Sequence, residues 1–214
     1  AAAFKVAGDF QVASDAVFMR MVNANGNFTT GTNVIYDVFG LQGIRGSSLL
    51  NRTYELGQNI DAALTKYWNS GSGFVPIGND ASLFTGSLDG KNFVINNLYQ
   101  KLSSGSYAGL FGRTQTGSSI SNIGLTNINI TYSTYTVIYI GVFVVSSQSS
   151  ISNAFTTGSI TSLNAHVGGL VGYNNSGGSI NASFANTAVS TDTFGGGLVG
   201  VNDASITDSY ATGN

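Results

Sequence analysis

The chain has 214 residues, of which 8% are charged, 42% are hydrophobic and none is cysteine, with a formal net charge of −2. An ordinary globular chain carries about 25% charged residues, so Ser, Thr, Asn and Gly must hold this one in water. The composition excludes helix-rich folds built on Lys and Glu, hydrophobicity-poor disorder, disulfides and thiolate metal sites. The absence of any basic run also excludes a nucleic-acid partner.

In chain order, the opening AAAFKVAGDF lacks the basic start and apolar core of a signal peptide, as expected of a processed or internal piece. Phe4–Val12 (FKVAGDFQV) predicts strand, Gly-Asp turn, strand, and Val34–Phe39 (VIYDVF) has β-branched and aromatic residues at strand spacing. Ala62–Trp68 (AALTKYW) predicts a short helical turn, and Leu88–Leu98 (LDGKNFVINNL) a hairpin or corner at Asp-Gly. Downstream, one pattern recurs four times. GLFG at Gly109, Leu110 and Gly112, GVFV at Gly141, GLVG at Gly169, Leu170 and Gly172, and GLVG at Gly197, Leu198 and Gly200 follow one another at 32, 28 and 28 residues. Each precedes an isoleucine that opens a further strand, at Ile120, Ile151, Ile180 and Ile206, and a third apolar site at Leu125, Phe155, Phe184 and Tyr210. The second copy carries Val144 in the second glycine position and extra residues before Gly141, which predicts a loop or bulge around Tyr132–Val137.

Three ordered landmarks at this period predict an all-β, right-handed parallel β-helix with three-strand coils of about 28 residues. Coils stacked about 4.8 Å apart would pair every strand with its copy above and below, with glycines at corners where backbones approach closely. No 3.6-residue apolar period supports a helical repeat. Residues 1–100 are expected as irregular coils with hairpin or loop excursions, and 101–214 as regular repeat coils of the same solenoid. The longest apolar run, Val137–Val145, is about half a bilayer span, so no membrane insertion is expected.

YELGQNIDA at Tyr54–Ala62, WNSGSGFVPIG at Trp68–Gly78, FTGSLDGKNFVINNL at Phe84–Leu98 and the later GLFG/GLVG units resemble, in this order, filamentous-haemagglutinin-like adhesins exported by two-partner secretion. The later units are similar to GLUG repeats of bacterial surface proteins. The resemblance spans about Val34 to Asn214 and implies a secreted or bacterial cell-surface β-helical passenger with a role in adhesion or biofilm structure. Its implied partners are host-cell or matrix glycans or proteins, and copies of itself in filaments. It supplies no catalytic, cofactor-binding or metal-binding residues.

The enzymatic alternative is a polysaccharide-processing β-helix, which needs two carboxylates or an acidic cation cluster on one face. Between Asp89 and Asp192 the chain has no Asp or Glu, Glu55 is the only glutamate, and Asp61, Asp80 and Asp89 sit at turn-type residues where local capping is the ordinary role. The sole histidine, His166, has no acid or nucleophile near it in sequence and is expected in a loop. No GGxGxDxUx, P-loop, HExxH or GxSxG motif occurs. Sequons at Asn27, Asn51, Asn129, Asn174 and Asn181 are mostly chance matches in so Asn- and Thr-rich a chain. Tyr132, Tyr135 and Tyr139 form the densest aromatic group, with alternation turning Tyr139 inward and its neighbours outward. Thr-rich stretches do not recur at the coil period, which argues against an ice-binding face. The sequence therefore predicts a non-enzymatic adhesive or filament module without cofactors.

Overall fold

The computed structural model describes residues 31–103, 107–133 and 138–213. The expected strands of Phe4–Val12, the Asn27 sequon, Tyr135 and most of the loop predicted around Tyr132–Val137 lie outside these residues. In chain order the strands are β1 (Asn33–Ile35), β2 (Thr53–Leu56), β3 (Ile60–Asp61), β4 (Ser87–Asp89), β5 (Val94–Asn96), β6 (Tyr99–Leu102), β7 (Phe111–Arg113), β8 (Ser119–Tyr132) and β9 (Ile138–Gly141). Then come β10 (Val144–Ser147), β11 (Ser150–Ser162), β12 (Ala165–Gly168), β13 (Val171–Asn174), β14 (Ser179–Asn181), β15 (Phe184–Thr191), β16 (Phe194–Gly196), β17 (Val199–Asn202), β18 (Ser205–Thr207) and β19 (Tyr210–Ala211). One short helix, α1 (Val38–Gly43), and three 3-10 turns complete the set.

These strands form a parallel β-solenoid. One sheet runs β1-β2-β4-β8-β11-β14-β18 and crosses residue 100 without a break, while β17-β13-β10-β7 and β16-β12-β9 form the other two. A coil such as β9–β10–β11 supplies one strand to each sheet. Its third strand is bent in two where Asn153 takes a positive φ of 49°. Asn122, one coil earlier, has φ 52°, and Asn153 Nδ2 donates to Asn122 Oδ1 at 3.0 Å. Asparagine tolerates this left-handed conformation because its short amide bonds locally, so the stacked amides fix the bend from coil to coil.

The ladder aligns Ile120, Ile151, Ile180 and Ile206 in register, the first three fully buried. Burying such a side chain contributes roughly 1.5–3 kcal/mol. The glycine-centred segments at Gly109, Gly169 and Gly197 align as read in the sequence, and the one at Gly141 is shifted by one residue. Gly141 faces Gly168, which faces Gly196, and Val144 faces both Phe111 and Val171. Gly141 is thus the counterpart of Gly168 rather than Gly169, and Val145 rather than Val144 stands at the Gly172 position. Packing sets this register: Phe143 and Leu170 then fall in the same inward row, both fully buried, and a one-residue slip would turn each to the opposite face. The close approach of chains at this corner requires Gly168, since a Cβ there would lie 1.9 Å from the Val171 carbonyl oxygen.

The third apolar site also divides. Phe155 pairs with Gly124, Phe184 and, through it, Tyr210, whereas Leu125 pairs with Ile95 and Thr156. Leu125 belongs to the core, but Phe155 and Phe184 are half-buried and Tyr210 is exposed. The Phe155 ring rests over the bare backbone of Gly124, where a Cβ would come within 2.3 Å of it.

Upstream, Val34–Phe39 splits into the end of β1 and the start of α1, because Asp37 caps the helix by accepting from the Gly40 amide at 2.8 Å. The turn expected at Ala62–Trp68 is a 3-10 turn over Ala63–Tyr67. Asp-Gly at Asp89–Gly90 makes a corner and not a hairpin, since β4 and β5 each pair in parallel with other strands. Of the described sequons, Asn174 is buried, with Nδ2 donating to Asn202 Oδ1 at 2.7 Å, while Asn51, Asn129 and Asn181 are exposed. No helix among the described residues is long and apolar enough to cross a membrane.

Candidate functional site

The most elaborated surface lies in the irregular coils. Arg45 lies two residues past the end of α1, and Gln42, buried in the last turn of that helix, reaches across to the extended segment at 73–76. Its Nε2 donates to the Val75 carbonyl at 2.8 Å and its Oε1 accepts from the Val75 amide at 2.9 Å. Gln100 of β6, wholly buried, grips the same segment from behind. Its Nε2 donates to the carbonyls of Phe74 (2.9 Å) and Gly109 (3.0 Å), and its Oε1 accepts from the Gly109 amide at 2.8 Å. Buried amides that satisfy every neighbour rigidify what they hold.

In front of this clamped segment opens a cleft of about 310 Å³, walled by Arg45, Val75, Pro76, Asn79, Leu102 and Tyr107. A second hollow of about 130 Å³ shares Arg45 and Asn79 and adds Ser47 and Ser82. Arg45 is half-buried, and burial holds its guanidinium below the ordinary arginine value. Among the described residues its side chain has no ion pair or hydrogen bond. Beside Asn79, the Asp80 carboxylate accepts from the Tyr107 hydroxyl and from Arg113 Nη1. The two hydrogen bonds, that from Tyr107 foremost, keep its pKa below the usual carboxylate range. Burial, reinforced by Asp80, pushes the Tyr107 phenol up to about 12.

The structure does not gather the other sequence candidates. Asp61 accepts from the Ala63 amide and Asn97 Nδ2, and Asp89 from the Lys91 amide and Asn122 Nδ2. Asp61, Asp80 and Asp89 share no hydrogen-bond partner. A pairing the sequence reading missed joins Glu55 to Asp89, in-register neighbours on β2 and β4. Lys91 bridges them, with Nζ 3.3 Å from Glu55 and 3.6 Å from Asp89. Burial raises the Asp89 pKa, but the Asn122 and Lys91 hydrogen bonds and the Lys91 charge outweigh it, so the net displacement is downward. No cluster of three or more potential metal ligands occurs among the described residues.

Aromatic rings line the outside of the regular coils. Tyr139, His166 and Phe194 stack at 5.4 and 5.0 Å, and Phe155, Phe184 and Tyr210 at 5.2 and 5.4 Å. His166 is thus a strand residue within a stack, not a loop residue, with its Nδ1 buried and unpartnered among the described residues. Tyr132 is buried and Tyr139 half-exposed, the reverse of the alternation read from sequence, because β8 ends at Tyr132 with its ring inward. Rings stacked face to face at rung spacing present edges to solvent. Such stacking covers the faces of the inner rings, while Phe194 and Tyr210, the last described ring of each stack, are exposed.

No protein-family model matches the chain. It is 40% identical over 138 residues to halomucin of Haloquadratum walsbyi, a match covering 62% of the chain and about 2% of the much longer halomucin. In fold it is similar to the crystal structure of a Bacteroides ovatus protein described as a candidate immunoglobulin A1 protease. The TM-score is 0.54 at 21% identity, over 85% of this chain and 66% of that one. At that identity the likeness establishes the β-solenoid alone.

Proposed function

We propose that this chain is an extracellular, non-catalytic solenoid segment that gives a larger surface protein reach and a surface for attachment. The observation that carries this reading is the unbroken parallel ladder from β1 to β18, whose buried rows leave the outer faces free to vary. Seven strands on that path make six intervals of about 4.8 Å, about 29 Å of rod. Similarity to a short stretch of halomucin favours a secreted or surface-attached protein of great length. The finer assignment to GLUG-type adhesins exported by two-partner secretion, active in attachment, biofilm or filament formation, rests on the motifs at Tyr54–Leu98 and Gly109–Gly200 alone. Attachment would come from many weak contacts acting together.

A glycosidase or lyase is the rival reading, and Glu55 beside Asp89 is what favours it. A general acid in such enzymes needs a raised pKa. Asp80 and Asp89 are both displaced downward, and Lys91 bridges the Glu55–Asp89 pair, offsetting one of its two negative charges. The structural neighbour's description adds immunoglobulin A1 cleavage as a second activity to assay. The test incubates the purified chain with glycan and matrix-protein arrays, reading binding, reducing-sugar release and immunoglobulin A1 cleavage. Binding without turnover is expected. Turnover that disappears in Glu55→Gln or Asp89→Asn would overturn the non-catalytic assignment.

A further inference from the structure

We infer that the cleft between α1 and the 73–76 segment is a binding site for the carboxylate of an acidic sugar, with Arg45 as its anchor. The inference stands on the cleft and holds whether or not the chain is an adhesin. Four observations converge. Arg45 lines both hollows, is half-buried, and has no anionic partner among the described residues. Uncompensated charge in a partly desolvated position is costly, and burial already holds this guanidinium below its ordinary value. Of the other five described cations, Arg113 is paired to Asp80, Lys91 to Glu55 and Asp89, Arg52 donates to the Ser48 carbonyl at 3.4 Å, Lys66 lies over the Tyr67 ring and Lys101 is exposed.

The wall opposite Arg45 is prepared in advance. Gln42 and Gln100 pin the backbone at Val75 and Phe74 from two sides, so little ordering is left for a ligand to impose. The volume, about 310 Å³, lies at the small end of ligand sites and suits one saccharide ring better than a folded partner. The chemistry also matches. A guanidinium fork receives a carboxylate bidentately, the Ser72 hydroxyl and the Asn79 side-chain nitrogen suit ring hydroxyls, and Pro76 with Tyr107 supplies an apolar wall. Asp80 at the rim is already saturated by Tyr107 and Arg113, so it neither competes for Arg45 nor leaves an uncompensated charge facing the incoming anion.

The test is titration of the whole chain with tri-galacturonate by calorimetry and by ligand-observed NMR at low salt. Neutral tri-galactose and tri-glutamate serve as comparison ligands. The expected result is saturable binding of the uronate, weakened at least tenfold by Arg45→Gln and several-fold by Arg45→Lys, which keeps the charge but loses the fork. Lys66→Gln, removing the same charge elsewhere, should leave binding unchanged. If Arg45→Gln does not fold, Arg45→Lys with the salt dependence of wild-type binding decides the matter. No uronate binding up to 10 mM, equal binding of the neutral sugar, or equal binding by Arg45→Gln would overturn the site. Equal binding of tri-glutamate would overturn its assignment to sugars. Adhesion of the chain to cells is a separate readout, so loss of one result leaves the other standing.

Discussion

Replacing Gln100 by leucine keeps the volume of the side chain and removes only its amide. Three backbone groups then lose their partner in a wholly buried place: the Phe74 carbonyl, the Gly109 carbonyl and the Gly109 amide. Each stranded group costs about 1–3 kcal/mol. Phe74 borders the cleft, where water can reach part of the loss, so the expected destabilisation is about 3–5 kcal/mol. For a chain of this size that lowers Tm on the order of 6–20 °C. Because a solenoid yields locally, amide exchange at Gly109 and Phe74 is the sharper assay and should accelerate before the regular coils do. Gln100→Glu separates electrostatics from packing. One carboxylate oxygen keeps the Gly109 amide, but the other faces two carbonyls, which raises the folded pKa above the unfolded value of about 4.3. Stability is then retained below about pH 4.3 and lost as pH rises through the folded value. The reasoning fails if Gln100→Leu melts within about 1 kcal/mol of wild type, or if Gln100→Glu shows no added pH dependence.

Gly168→Ala should abolish cooperative folding by circular dichroism, since its Cβ would meet backbone at 1.9 Å. Gly195→Ala meets only side-chain methyls at 3.1 and 3.4 Å and should stay within about 1 kcal/mol of wild type. Leu170→Ala should cost about 2–5 kcal/mol, and Leu198→Ala clearly less in the same denaturant series, because Leu198 is only partly buried. Tyr107→Phe should raise the Asp80 pKa toward the ordinary value, read by carboxyl-carbon NMR. The depressed carboxyl supports the fold above the unfolded pKa near 4 and loses that support as pH falls through its folded value. Tyr107 acts in the opposite sense: its support is complete below about pH 10 and is lost as pH rises toward about 12, which ultraviolet titration of tyrosinate would follow.

What the sequence revealed was the order of strands and their stacking, because those follow from a pattern with few physical solutions. Ile120, Ile151, Ile180 and Ile206 recur in β-rich segments 31, 29 and 26 residues apart, and parallel pairing of copies is the economical way to satisfy their backbones. Register was harder. Gly141 reads as the counterpart of Gly169 when the four-residue motifs are matched, but Gly168 and Gly169 are both available, and the pairing takes Gly168, which puts Phe143 in the row of Leu170. Face was harder still. Leu125 and Phe155 are both large and apolar at similar offsets, yet one fills the core and the other covers Gly124 from outside. Only the pairing partner distinguishes them. Arg45, Gln42 and Gln100 left no repeat signal, since their meaning depends on contacts 9 to 33 residues away. One hint was available for Gln42, a long polar side chain in the otherwise apolar stretch Val38–Ile44, where it must be satisfied if buried.

The division of labour along the solenoid follows from the same physics. A regular coil must repeat its inward residues to keep the ladder continuous, and its outer aromatics stack on their own copies at rung spacing. Both constraints leave a smooth surface whose rings show edges. An irregular coil escapes them. Two excursions, one carrying α1 between β1 and β2 and the other carrying the 73–76 segment between β3 and β4, leave the β1-β2-β4-β8 ladder continuous, so together they can hold a half-buried cation and a rigid concavity beside the rod. Recognition is therefore expected at Arg45 and reach in the coils from Gly109 onward. Binding that mapped instead to Phe155, Phe184 or Phe194 by alanine substitution would reverse that division.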